Sequence, residues 1–100
     1  MSTPPDRPTA DETAPVTVRY WAAARAAAGV TSDELTVTGS LTLTDVVRRA
    51  VALHPGSRLP NVLEACSVLV GDRPVASSHP DDVVVAPGDT VEFLPPFAGG

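Results

Sequence analysis

Lysine is absent from this sequence and cysteine occurs once, and each scarcity closes off a class of protein. The basic residues are all arginine and stand singly except for Arg48-Arg49. No basic stripe is available to track phosphates, so nucleic acid is not expected as a ligand. The lone thiol, Cys66, has no intrachain partner for a disulfide and no cysteine neighbours for a zinc site. Lying at the edge of an apolar run, it reads as a small buried hydrophobe rather than a persulfide carrier. No apolar run approaches the roughly 20 residues of a membrane span, so no membrane association is expected. The opening stretch MSTPPDRPTADETAP lacks the apolar core of a secretory signal, which makes the cytoplasm the expected location. The G-x-S-x-G, Walker A, C-x-x-C and H-E-x-x-H patterns are all missing. His54 and His79 have no ligand cluster near them in sequence, and Asp81-Asp82 reads as a solvated turn, so no metal site is expected.

What remains fits one domain. Residues 1–15 hold Pro4, Pro5, Pro8 and Pro15 among small polar and acidic residues, a composition that cannot bury enough apolar surface to offset chain ordering. They read as a disordered extension, leaving residues 16–100, a length that can just bury its own core. The net charge of −5 suits plain solubility and equally suits docking onto a basic partner.

From Val16 the pattern changes. Val16, Val18 and Tyr20 alternate with Thr17, Arg19 and Trp21, the period of two expected of a strand with one face inward. Ala22 to Ala28 favours a short helical turn, ended by Gly29. A second strand is expected where Leu35 and Val37 alternate with Thr36 and Thr38, closed by Gly39-Ser40. Leu43, Val46, Val47, Ala50 and Val51 then share one face of the main helix. Thr42 and Asp45 are spaced to cap its start, and Pro55-Gly56 stops it. Residues 57–65 read as a loop with a short turn. A third strand over Val68 to Val70 returns through Gly71-Asp72 and Arg73 to Val75. His79 to Asp82 reads as a turn, Val83 to Val85 as a short apolar piece, and Thr90 to Leu94 as the last strand, with Val91 and Phe93 on one face. Strands and helix are segregated rather than alternating, which argues an α+β domain with one main helix on one face of a sheet.

The end of the chain is the part that carries chemistry. Pro95-Pro96 removes two backbone donors and fixes φ, so the last strand must stop pairing and leave the sheet extended. Phe97-Ala98-Gly99-Gly100 follows. Two glycines without side chains suit a carboxylate threaded through a channel too narrow for other residues. Taken alone, a Gly-Gly end would be fraying. A rigid Pro-Pro spacer and an aromatic residue just before the glycines point instead to delivery into another protein's site. Phe97 either packs back onto the sheet or serves as the anchor in a partner pocket, with Ala98, Pro95 and Pro96 beside it as partner contacts.

These residues are where a resemblance enters. Val16 to Ala23 and, more specifically, Gly88-Asp89-Thr90-Val91-Glu92-Phe93-Leu94-Pro95-Pro96-Phe97-Ala98-Gly99-Gly100 resemble the opening and closing segments of the MoaD/ThiS family of sulfur carriers. The Pro-Pro pair with an apolar residue and alanine before the glycines is most similar to the molybdopterin synthase small-subunit branch. The resemblance implies a ubiquitin-like β-grasp fold with a mixed sheet. It implies no bound cofactor. It implies that Gly100, with Gly99 beside it, is adenylated by an ATP-using, ubiquitin-activating-type enzyme and converted to a thiocarboxylate by a sulfur donor enzyme. The implied final partner is the large subunit of molybdopterin synthase, in a heterotetramer, where the sulfur passes to a pterin precursor. On this reading the chain is a sulfur-donating subunit rather than an enzyme on its own. The rival readings are a carrier for thiamine or cysteine synthesis, a ubiquitin-like modifier joined to target lysines, and a non-covalent interaction domain. As a modifier it would be unable to build lysine-linked chains of itself.

Overall fold

The computed structural model describes residues 14–75 and 79–96. The elements run β1 (Val16–Tyr20), α1 (Ala22–Ala28), β2 (Ser32–Leu35), β3 (Leu41–Thr42), α2 (Leu43–Ala52), α3 (Leu59–Ala65), β4 (Ser67–Val70), β5 (Arg73–Pro74), a 3₁₀ turn (Pro80–Asp82), β6 (Val84–Val85) and β7 (Thr90–Leu94). The main sheet has the order β2-β1-β7-β4-β5, and β3 and β6 form a separate two-stranded ladder. β1 and β7 are parallel, with Val18 opposite Val91 and Tyr20 opposite Phe93. The β1–β2, β4–β5 and β4–β7 pairs are antiparallel. The first and last long strands are therefore central neighbours in a mixed sheet covered by helices, which is the α+β, β-grasp arrangement.

The alternation in β1 survives intact: Val16, Val18 and Tyr20 are buried, as are Val91 and Phe93 on β7. Helix α2 packs onto that face through Leu43, Val46 and Ala50. Its start carries the expected capping box, in which the Asp45 N–H donates to Thr42 Oγ1 at 3.1 Å and the Thr42 N–H to Asp45 Oδ2 at 3.4 Å. Helix α1 ends as expected at Gly29, whose φ of 80° lets its N–H reach the Arg25 carbonyl at 2.8 Å. The alanine-rich residues between form a full seven-residue helix.

Two expectations need correction. Residues 57–65 are not a loop, because Leu59–Ala65 forms helix α3 with Leu59 and Leu63 buried. Pro60 sits in its first turn, where a missing N–H costs nothing, so this proline marks a helix start. The second strand lies earlier than expected, at Ser32–Leu35 rather than Leu35 to Thr38. Leu35 and Val37 are both buried, as their alternation suggests, but pairing with β1 runs back from Leu35, opposite Val16, through the polar Glu34, Asp33 and Ser32.

Candidate functional site

β7 is flanked by β1 and β4, so its last residue emerges from the middle of the sheet rather than from an edge. Leu94 is opposite Ser67, and the Trp21 N–H donates to the Phe93 carbonyl at 3.1 Å. Beyond Leu94 the two prolines have no N–H to offer, and the ladder ends there. Pro95 and Pro96, two of the residues expected to contact a partner, stand exposed at this exit. Phe97, Ala98, Gly99 and Gly100 lie outside the described residues.

Different groups surround the exit on the two faces of the sheet. On the open face, the Trp21 indole N–H donates to Glu92 Oε1 at 2.9 Å. The Arg19 guanidinium lies 5.0 Å from the Trp21 ring centroid, a cation–π distance. On the helix face, Phe93 stacks on Tyr20 with centroids 6.4 Å apart. The Tyr20 hydroxyl donates to Asp33 Oδ2 at 2.8 Å, and the same oxygen lies 2.5 Å from His54 Nε2. Burial, reinforced by the hydrogen bond and charge of Asp33, raises the Tyr20 phenol well above its ordinary pKa. His54, which looks isolated in sequence, is thus paired across the fold. The partner comes from β2, and nothing in the local pattern of either residue signals the meeting. Likewise Arg19, Trp21 and Glu92 are outward positions of two alternating strands, brought together by a parallel pairing that alternation does not reveal.

A groove of about 590 Å³ runs between α2, α3 and the sheet, with Leu43, Val47, Leu63, Cys66, Val68 and Phe93 in its wall. It reaches the same exit, because Cys66 immediately precedes Ser67, the residue opposite Leu94. The Cys66 thiol is half-buried and donates to the Val62 carbonyl at 3.3 Å. Burial pushes its pKa up, away from the thiolate form a sulfur nucleophile needs. His79 is exposed and caps the start of the 3₁₀ turn, where its Nδ1 accepts the Asp81 N–H at 3.4 Å. Asp81 also receives the Thr44 hydroxyl. Among the described residues, no three His, Cys, Asp or Glu side chains are grouped to hold a metal ion. No helix among them is long and apolar enough to cross a membrane.

The sequence profile of the ThiS family matches residues 18–100, running through the exit to the last glycine. The chain belongs to the ThiS family. These are the ubiquitin-like sulfur carriers of the MoaD/ThiS type, proteins that generally work with an activating enzyme and a catalytic subunit. No curated protein matches the chain by sequence. Solved structures do match this ThiS-family chain. It is similar to the Haloferax volcanii HVO 2177 protein, at 27% identity and a TM-score of 0.68 over 89% of each chain. A Pyrococcus furiosus protein assigned as molybdopterin converting factor, subunit 1, matches at 21% identity and a TM-score of 0.64, over 85% of this chain and all of that one. The small archaeal modifier protein 1 of Methanosarcina acetivorans matches at 20% identity and a TM-score of 0.68, over 88% and 98%. The latter two likenesses establish a shared fold.

Proposed function

We propose that this chain carries sulfur as a thiocarboxylate on Gly100 and delivers it to a pterin precursor within molybdopterin synthase. The observation that carries the reading is the coincidence of two features at one place. The family profile extends through Gly100, and the central strand that leads there ends in a Pro-Pro pair directed out of the sheet. The Pro-Pro-Phe-Ala-Gly-Gly ending favours the molybdopterin branch over carriers for thiamine or cysteine synthesis.

The chemistry follows from the inertness of a carboxylate, which is charged and has no good leaving group. An activating partner joins Gly100 to the AMP moiety of ATP and releases pyrophosphate. A sulfur donor then attacks the acyl carbon and AMP departs with the electron pair of the broken bond. Where the donor presents a persulfide, a second thiol attacks the donor-side sulfur of the acyl disulfide so formed, becoming a disulfide with the donor as the thiocarboxylate leaves; where it presents sulfide, the thiocarboxylate forms directly, with sulfur in place of one carboxylate oxygen in either case. In the synthase the sulfur moves to the pterin precursor and water restores the carboxylate, so the chain is recycled. Its own contribution is positional: Phe97 anchors in the partner while Gly99 and Gly100, without side chains, pass through a narrow channel. The catalytic groups belong to the partners.

Deleting Gly100, or appending one residue after it, abolishes sulfur transfer while the fold stays intact. Transfer that survives either change contradicts the reading. Copurification with a larger synthase subunit supports the molybdopterin branch, and copurification with a thiamine-pathway enzyme replaces it. A second reading, a ubiquitin-like modifier, draws on the fold likeness to the small archaeal modifier protein 1 and would be recognised by covalent high-mass adducts through Gly100.

A further inference from the structure

Arg19, Trp21 and Glu92 form a clasp on the open face of the sheet that the sulfur chemistry itself does not use. Trp21 is held at its edge, its face and its backbone. The indole N–H donates to Glu92 Oε1 at 2.9 Å, the Arg19 guanidinium lies 5.0 Å from the ring centroid, and the backbone N–H donates to the Phe93 carbonyl at 3.1 Å. The next residue, Ala22, holds φ 49°, a left-handed backbone that a residue with a Cβ adopts only at a cost, as the chain turns from β1 into α1. A ring fixed in this way loses little conformational freedom when a partner covers it. It is nevertheless 37% exposed. Register extends the patch around it. Arg19 is opposite Glu92 and Glu92 opposite Leu69, so one row crosses β1, β7 and β4, and the half-buried Leu94 follows on the same face one step nearer the exit.

Charge selects the occupant. The carboxylate directly opposite Arg19 is that of Glu92, and it accepts the indole N–H. Among the described residues, no carboxylate forms an ion pair with Arg19. On a chain of net charge −5, the open face beside the exit therefore presents a cation resting on an aromatic ring. A guanidinium can keep its plane on an indole while its edge N–H groups donate to an incoming carboxylate. The Gly99-Gly100 end, having no side chains, offers an activating enzyme little by which to tell this chain from another, whereas a later partner can read the sulfur itself. We infer that the Arg19–Trp21 pair is the docking receptor for an acidic side chain of the activating enzyme, with Trp21 packing against apolar surface beside that carboxylate. The partner's identity rests on the carrier reading; the chemistry that selects it rests on this face.

The test follows adenylation of the full chain by its activating enzyme, as ATP–pyrophosphate exchange, with the carrier chain as the varied substrate. Arg19→Glu raises KM about tenfold while kcat stays within about twofold, and Arg19→Lys, which keeps the charge, recovers most of the loss. Trp21→Ala raises KM about thirtyfold. KM of the parent rises with salt, and that of Arg19→Gln rises less. Trp21 is the one tryptophan of the chain, so 5-fluorotryptophan labelling gives a single fluorine resonance, which shifts on adding the enzyme without ATP. That measurement uses the unsubstituted chain and needs no variant to fold. A KM that Arg19→Glu leaves unchanged overturns the acidic occupant, even if Trp21→Ala raises it. A fall in kcat at constant KM, or a fluorine signal that stays in place, overturns the docking role. Adenylation of Gly100 with an unmoved signal removes the receptor and keeps the carrier. A shifted signal with no adenylation does the reverse.

Discussion

Phe93 stacks on Tyr20 at an interplanar angle of 16° and a centroid distance of 6.4 Å, across the parallel junction of the first and last long strands. Both rings are almost wholly buried, at 1% and 2% exposure, and this contact ties the last strand to the core one residue before the chain leaves it. Truncation to Phe93→Ala should cost about 3–4 kcal/mol, because a cavity replaces a ring that neighbouring strands cannot collapse to fill. Urea unfolding with an unchanged slope and a lowered midpoint checks this.

The pH dependence of stability has two limbs with opposite causes. The Thr42 backbone N–H, then its hydroxyl and Arg48, hold the Asp45 carboxyl below its ordinary 3.8. A depressed folded-state value means the stabilisation is present above that pH and is lost as pH falls through the folded value. Asp45→Asn should therefore be less stable than the parent at neutral pH, the difference shrinking on acidification below about pH 4. Tyr20 runs the other way. Its folded value is raised above 10.0, so the unfolded chain loses the phenolic proton first and stability declines above pH 10. Tyr20→Phe should remove the Tyr20 part of that alkaline decline and leave the part set by the raised Cys66 thiol. Tyr20 is the one tyrosine, so phenolate absorbance reports the titration without overlap from another.

Two residues at the ends of α1, Ala22 and Gly29, should respond differently to exchange of alanine and glycine. Gly29 has φ 80° with open space around its Cα, so Gly29→Ala meets no clash but must hold a left-handed backbone, costing about 1 kcal/mol. Ala22 already sits at φ 49°, and Ala22→Gly should leave stability within about 0.5 kcal/mol, as relieved strain offsets added chain entropy. Thermal unfolding of the two variants side by side tests the contrast.

Local periodicity makes some of this fold readable before any coordinates. Val16, Val18 and Tyr20 are in because they alternate, and Thr42 caps α2 because a hydroxyl and a carboxylate three residues apart satisfy each other's N–H. Residues 59–65 were obscured because Pro60 punctuates as a breaker unless its place in the first turn is known. The β2 segment was obscured because Ser32, Asp33 and Glu34 form a strand by pairing with β1 rather than by intrinsic preference. At the site, the Pro-Pro exit was legible from chemistry alone. The groove beside it was not, since it joins residues of α2, α3, β4 and β7 that only the tertiary fold brings together.

The claim on which the functional account depends is that the Gly100 carboxylate is activated and exchanged for sulfur. The most direct measurement is the intact mass of the full chain after incubation with its activating enzyme, ATP and a sulfide source, followed by fragmentation of the C-terminal peptide. The account predicts a gain equal to one oxygen-to-sulfur exchange, confined to Gly100 and absent when ATP is withheld. An unchanged mass under conditions that convert a known carrier, or an added sulfur on Cys66 instead, would contradict it.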